Sequence, residues 1–383
     1  MTNPVSVNVL TGRAHCDVSF RTDLTIEQIE PLWLALEATA HASFFLSWRW
    51  VGTWLREAGL TPNLLMARRD GQLLGLALLQ PRNGAAFPHL AGRYLTSSGD
   101  GDYDSVFAEY NDFLAEPAAR AEVALSFKDF LARSEPRMQP GDGWSRLHLP
   151  GVSDNMRHLW TDSRFVVKTA ISRPAPFIDF TRMREERIDY LTSRSANCRQ
   201  QIKRSMRLFQ AEGPLQLEEA STPDDAQSIF DELIHLHQGS WQARGKPGAF
   251  ANPFFQRFHR TLLTEAWPSG AIQLFRLRAG PKTVGCLYNF LHDGNAYAYQ
   301  SGFAHHDDAR LKPGLVAHAM AAERYLVAGI HRYLLLAGDS RYKTSLATGA
   351  DLLHWLVVRR TGLRATTEEW AETVGRRLPK LAH

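Results

Sequence analysis

The sequence predicts an α/β protein built as two similar domains with mixed sheets, and three observations carry that prediction. One order of patterns runs twice along the 383 residues: helices, a hairpin, a third strand, a polar loop, a helix, a strand, a short helix and a last strand. Each half contains apolar runs meeting at an Asp-Gly turn, Asp70-Gly71 in the first and Asp293-Gly294 in the second, which is a strong hairpin signal. The stretch 295–349 reads as a strand, a charged loop, a helix, a second apolar strand and a polar turn opening a short helix. Identities do not recur between the halves, so the duplication is one of structure. Pro174 and Pro176 mark the expected boundary, giving domains 1–176 and 177–383.

Composition sets bounds on function. The 44 basic and 40 acidic residues leave a net charge of +4, which demands no nucleic-acid partner. Cys16, Cys198 and Cys286 are odd in number, far apart and without a CxxC, so neither a disulfide framework nor a structural zinc site is expected. No signal peptide and no apolar run of membrane-spanning length is visible, and a cytoplasmic protein with no membrane partner is the expectation.

In chain order, Thr25-Ile-Glu-Gln28 has the form of a capping box and opens a helix. A second helix, with Phe45, Trp48, Val51, Trp54 and Leu55 on an apolar stripe, stops at Gly59. After the first hairpin come a strand, a polar loop, a helix over 117–133, a strand from Trp144, a short helix and an extended run into Phe180. A long helix is then predicted over 182–211, stopped by Gly213-Pro214; Arg199, Lys203 and Arg207 share one of its faces. Thr222-Pro223 caps the next helix, and another follows the loop 242–252. The second hairpin, the stretch 295–349 and a last strand near 352–360 complete the chain.

The charged loop 304–312 ahead of Pro313 is a ready anion site, because a helix N-terminus presents free N–H groups and a positive dipole end. Lys312 stands there. A second polar cluster, Asp339-Ser340-Arg341-Tyr342-Lys343, follows the next strand. The run His305-His306-Asp307-Asp308 has adjacent ligands and no third-ligand spacing, so it reads as a solvated loop and no metal is expected.

Four pieces in this order resemble the GNAT superfamily, and within it the double-domain branch of FemAB-like and CelD (BioF2-like) acetyltransferases. They are SANCRQQIKRSMRLFQAEG, LIHLHQGSWQARGKPGAF, SGFAHHDDARLKPGLVAHAMAAERYLVAGI and GDSRYKTSLATG; AEYNDFL in the first half also matches that group. The resemblance implies tandem GNAT-like acyl-CoA N-acyltransferase domains, with the donor in the second. It implies transfer of an acyl group, acetyl foremost, from acyl-CoA to an amine of a small molecule or of a cell-envelope or polysaccharide-related acceptor. Donor contacts then fall on Gln300, Ser301, Lys312, Gly314 and Leu315, and acceptor contacts on Arg199, Arg204, Trp241 and Tyr299. Acyl transfer needs a proton acceptor, oxyanion stabilisation and a proton for the leaving thiolate. Asp339, Tyr342 and Lys343 are the catalytic candidates.

The family's pyrophosphate loop has the form Q/R-x-x-G-x-G/A, whereas this chain has Leu311-Lys-Pro-Gly314-Leu-Val316. That departure leaves room for an aminoacyl-tRNA donor, as in FemAB-like transferases, or for a binding protein that kept the fold. Gly-Asp-Ser340 also imitates the nucleophile of GDSL hydrolases, with Asp351 and His354 as D-x-x-H, although only 43 residues follow Ser340.

Overall fold

The computed structural model describes residues 15–82, 92–133 and 144–361. Residues 1–14, 83–91, 134–143 and 362–383 lie outside them. The first half comprises β1 (Asp17–Arg21), α1 (Ile26–Glu37), α2 (Trp48–Ala58), β2 (Leu64–Arg69), β3 (Gln72–Pro81), β4 (Gly92–Leu95), β5 (Leu114–Ala115), α3 (Arg120–Arg133), β6 (Arg146–Val152), α4 (Asp154–Leu159) and β7 (Phe165–Asp179). The second comprises α5 (Thr181–Glu186), α6 (Ala196–Gln210), β8 (Leu215–Glu219), α7 (Pro223–Gln242), α8 (Pro253–Ala266), β9 (Ile272–Ala279), β10 (Lys282–His292), β11 (Asn295–Phe303), α9 (Pro313–Val327), β12 (Arg332–Leu334), α10 (Arg341–Leu346) and β13 (Gly349–Arg360).

Local sequence sets most of these boundaries. Gln28 N donates to Thr25 Oγ1 at 3.3 Å and Thr25 N donates to Gln28 Oε1 at 2.9 Å, closing the capping box of α1. Gly59, at φ 61°, ends α2 in the left-handed conformation that glycine takes at no steric cost. The helix expected over 182–211 is two helices. Arg187 turns left-handed at φ 53° after α5, and Ser195 Oγ accepts from Cys198 N to start α6 afresh. The intervening turn holds Tyr190, buried, whose hydroxyl donates to Leu346 O at 2.9 Å, so tertiary contact with α10 overrides helical propensity.

Two β-sheets are fused into one, in the order β1-β2-β3-β4-β6-β13-β7-β12-β11-β10-β9-β8, with β5 on β3. The last strands of the two halves have changed places: β13 lies on β6, and β7 lies on β12. Pro174 and Pro176 therefore sit inside a paired strand. Their carbonyls accept from Gly338 N and Leu335 N, on the side away from β13. Because a residue's N and C=O share one side of a strand, the missing proline donors face this loosely paired segment and cost the β7–β13 ladder nothing.

The aromatic stripe of α1–α2 packs across the two halves. Phe44 stacks on Phe290 with ring centroids 4.2 Å apart, and Trp50 meets Phe258 edge-on at 4.8 Å. One core cluster runs from Ile29 through Trp50 to Phe258 and Tyr297. Such aromatic pairs add about 0.5–1.5 kcal/mol each beyond their buried area.

Gly302 lets β11 run against α7: a Cβ there would stand 2.5 Å from Leu233 O and 2.9 Å from His237 N, both backbone. Gly302→Ala is expected to destabilise the protein by roughly 1–3 kcal/mol through overpacking, measured by urea unfolding. An unchanged midpoint would show that this contact relaxes freely.

Candidate active site

A wedge opens where β11 and β12 part. They pair in parallel only from Asn295↔Arg332 to Tyr297↔Leu334. Beyond that point β11 continues to Phe303, while the chain after β12 follows β7 through the bonds of Leu335 N and Gly338 N to its prolines. The space between is a cavity of about 950 Å³, walled by β11, α6, α7, α9 and α10.

The N-terminus of α9 looks into this wedge. Lys312 N donates to Ser205 Oγ of α6 at 2.8 Å, fixing the entry, and Pro313 has no N–H to satisfy. Val316 N returns to Lys312 O. The N–H groups of Gly314 and Leu315 thus lie ahead of the helical ladder, and both residues line the cavity.

Residues 196–344 match the family model described as an acetyltransferase (GNAT) domain. The match lies within the second half, which has a GNAT-like fold. Among solved structures the chain is similar to FemX, at 10% identity and a TM-score of 0.58, over 91% of this chain and 99% of that one. It is also similar to L-PGS from Bacillus licheniformis, at 11% identity and a TM-score of 0.52, over 91% of this chain and 97% of that one. At these identities the likeness is one of fold, and it extends over both halves. No curated protein matches the sequence. The expected fold, tandem GNAT-like α/β domains, is the observed one.

The cleft is positively charged. Arg244, Lys312, Arg341 and Lys343 line it, and among the described residues no aspartate or glutamate does. Of the residues predicted from sequence, Tyr299, Gln300, Ser301, Lys312, Gly314, Leu315, Trp241, Tyr342 and Lys343 all border this one cavity. Trp241 stands at its edge with Arg244 4.8 Å and Lys246 5.7 Å from its ring centroid. Tyr299 turns its hydroxyl to Val106 O at 3.0 Å, tying the cleft wall to the first half.

Three predicted residues lie elsewhere. Asp339 is exposed and does not border the cavity. Arg199 Nη1 donates to Thr192 O at 3.2 Å, and Arg204 is exposed on the outer face of α6. Asn197 and Gln201, four apart on that helix, present its cleft face instead. The hydrolase trio does not assemble: His354 bonds Ser172 Oγ at 2.8 Å and Asp154 Oδ1 at 2.9 Å, and Asp351 accepts from Tyr110. Ser340 Oγ is buried with no partner. Among the described residues no three His, Cys, Asp or Glu side chains are grouped to hold a metal ion, and no helix is long and apolar enough to cross a membrane.

Sequence reasoning missed two groups. Glu109, from the first half, accepts from Ala337 N at 2.7 Å and stands in the field of Lys343. Burial pushes its carboxyl above the usual range, opposed by the Ala337 bond, Lys343 and Arg173. Lys343 Nζ donates to Leu336 O and Ala337 O at 3.3 and 3.2 Å; burial pulls its ammonium below 10.5, and Glu109 pushes back. His318, on the buried face of α9, borders the cleft with Nδ1 2.9 Å from Tyr333 Oη. Burial, with Lys343 adding to it, lowers its pKa to about 3, so it is neutral at pH 7. Its signal was a histidine three residues after Leu315, inside an otherwise apolar helical stripe.

Proposed function

We propose that this protein is an N-acyltransferase that binds acyl-CoA, acetyl-CoA foremost, in the cleft of residues 177–383 and transfers the acyl group to an amine. The observation that carries this reading is that the charged residues lining the wedge at the N-terminus of α9, among the described residues, are all cationic. Such a surface suits a phosphate-rich donor, because dipole, free N–H groups and side-chain charges act together.

The first half, 1–176, is read as the degenerate partner. Its own parallel pair, β4 with β6, also separates after three residues, but Asn111 closes that gap. Asn111 N donates to Gly151 O at 3.0 Å, and its Nδ2 donates to Leu95 O and Pro150 O.

In the reaction a neutral amine attacks the thioester carbonyl; the C–N bond forms, the C–S bond breaks, the thiolate takes the Tyr342 proton, and the phenolate left behind takes up the proton that the acylated nitrogen loses. Tyr342 is the proton donor in this scheme. Burial raises its phenol above 10.0, so it is protonated at pH 7 and lies beside Lys343 on the cleft wall. Lys343 places its ammonium toward the developing oxyanion, where a preorganised charge acts most strongly. The carbonyls of Leu336 and Ala337 hold it in place, and the charge of Glu109 helps sustain its own. Asp339 is left as a surface residue at the mouth of the turn.

Acyl-CoA titration tests the donor. The melting temperature is expected to rise with acetyl-CoA, by the equivalent of about 2.7 kcal/mol at a hundred times Kd. No shift with acetyl-, succinyl- or longer acyl-CoA overturns the reading. One observation favours a second donor: Lys203, Arg204 and Arg207 form an exposed cationic row on α6 beside the cleft. Salt-dependent binding of aminoacyl-tRNA, without a response to CoA, would select that alternative.

A further inference from the structure

A second cavity, of about 520 Å³, lies on the seam between the halves, at the opposite end of β11 and β12 from the GNAT cleft. Asn295 and Arg332, where the parallel pairing begins, border it, as do Asn111 and Tyr110 from the first half. Its charge is the reverse of the cleft's. Asp112, Asp179, Asp293 and Asp351 face two guanidiniums, Arg120 and Arg332. Arg120 is ion-paired with Asp112, and Arg332 with Asp179 at 3.3 Å. Among the described residues Asp293 pairs with His41 alone, at 3.1 Å, and Asp351 accepts from Tyr110 Oη at 3.2 Å with Arg332 no nearer than 3.9 Å. Two carboxylates are therefore left without a close guanidinium.

An independent observation points to a ligand. Asn111 is 1% exposed, and its Nδ2 is committed to Leu95 O and Pro150 O, as described. Its Oδ1, on the other side of the amide, is buried and accepts no hydrogen bond within the protein. A buried acceptor left unmatched is costly, and native proteins retain few of them without a role. The cavity thus offers an unmet acceptor and a surplus of negative charge. Both call for a donor that carries positive charge. The carboxylates are spread around the wall and do not converge on a point, which suits an extended organic cation more than a metal ion.

We propose that this seam cavity binds an organic cation bearing ammonium or guanidinium groups, with Asp293 and Asp351 as its charge partners and Asn111 Oδ1 as a hydrogen-bond acceptor. The site is separate from the donor cleft and does not depend on the identity of the donor.

Thermal shift of the full chain at low salt tests this, with putrescine and agmatine as probes and 1,4-butanediol as the uncharged control. Putrescine or agmatine is expected to raise Tm, the diol is not, and added NaCl is expected to erase the effect. The Asp293→Asn/Asp351→Asn double variant keeps side-chain shape, and is expected to lose the response to the cations while retaining any response to acetyl-CoA. No shift with either cation, or an equal shift in the double variant, overturns the proposal. A response to the cations without a response to acetyl-CoA sustains this site and removes the donor reading.

Discussion

Lys343→Met is expected to lower kcat about 10²–10³-fold, the loss usually seen when one preorganised oxyanion donor is removed, while leaving Tm at pH 7 no lower than in the parent. The two halves of that result have one cause. Burial lowers the pKa of Lys343 in the folded protein below its ordinary 10.5, so the folded state holds this proton less tightly than the unfolded chain does. The ionised lysine therefore costs stability below its folded pKa, and that cost disappears as pH rises from there toward 10.5. Replacing it with an apolar side chain of similar length relieves the cost at pH 7. Steady-state kinetics and urea unfolding of the same preparation check both parts. Equal losses of rate and stability would show that Lys343 only braces the carbonyls of Leu336 and Ala337.

Glu109 supplies a linked measurement. It is the group that raises the lysine's pKa against burial. In Glu109→Gln the alkaline limb of kcat is expected to move to lower pH, because the ammonium loses its proton sooner. A pH profile unchanged in Glu109→Gln would separate the two residues functionally.

Charge reversal at the donor end has the next largest effect. Lys312→Glu with Arg341→Glu is expected to raise the donor KM on the order of a hundredfold or more, since hydrogen bonds to charged groups are worth about 1.5–3 kcal/mol each. The change in kcat is expected to be smaller, because on the proposed reading Lys312, at the start of α9, meets the donor's phosphates and not its reacting carbon. The salt dependence of donor binding should weaken in parallel. If KM changes less than the rate, the phosphates do not lie along α9.

Much of the cleft wall around the start of α9 was legible in the sequence because it is local. Lys312, Gly314 and Leu315 adjoin a helix start, and Tyr299–Ser301 lie on the preceding strand, so the loop between them carries the geometry. The surroundings of Lys343 were less legible. Asp339 stands in the same polar turn but is exposed, whereas the carboxylate whose charge acts on Lys343 comes from position 109, and no local pattern encodes an influence across that separation. Arg199 and Arg204 were singled out for charge, but cleft-facing Asn197 and Gln201 occupy a different face of the same helix. Strand identities were legible from their alternation, yet their partners were not: nothing in 349–360 marks it for β6. Pro174 and Pro176 marked the expected boundary, yet they lie within β7; the sequence does not show which side of a strand its donors face.

The exchange of β7 and β13 has a consequence for biosynthesis. Translation runs from the first residue to the last, so β6 emerges about two hundred residues before β13, on the scale of 5–20 residues per second. For those tens of seconds the growing first half has a sheet with an open edge at β6, and its β7 waits without the strand it pairs with along its whole length. The nascent chain therefore cannot finish its first sheet before its final strand has left the ribosome, and the interval calls for protection from chaperones that shield exposed strand edges.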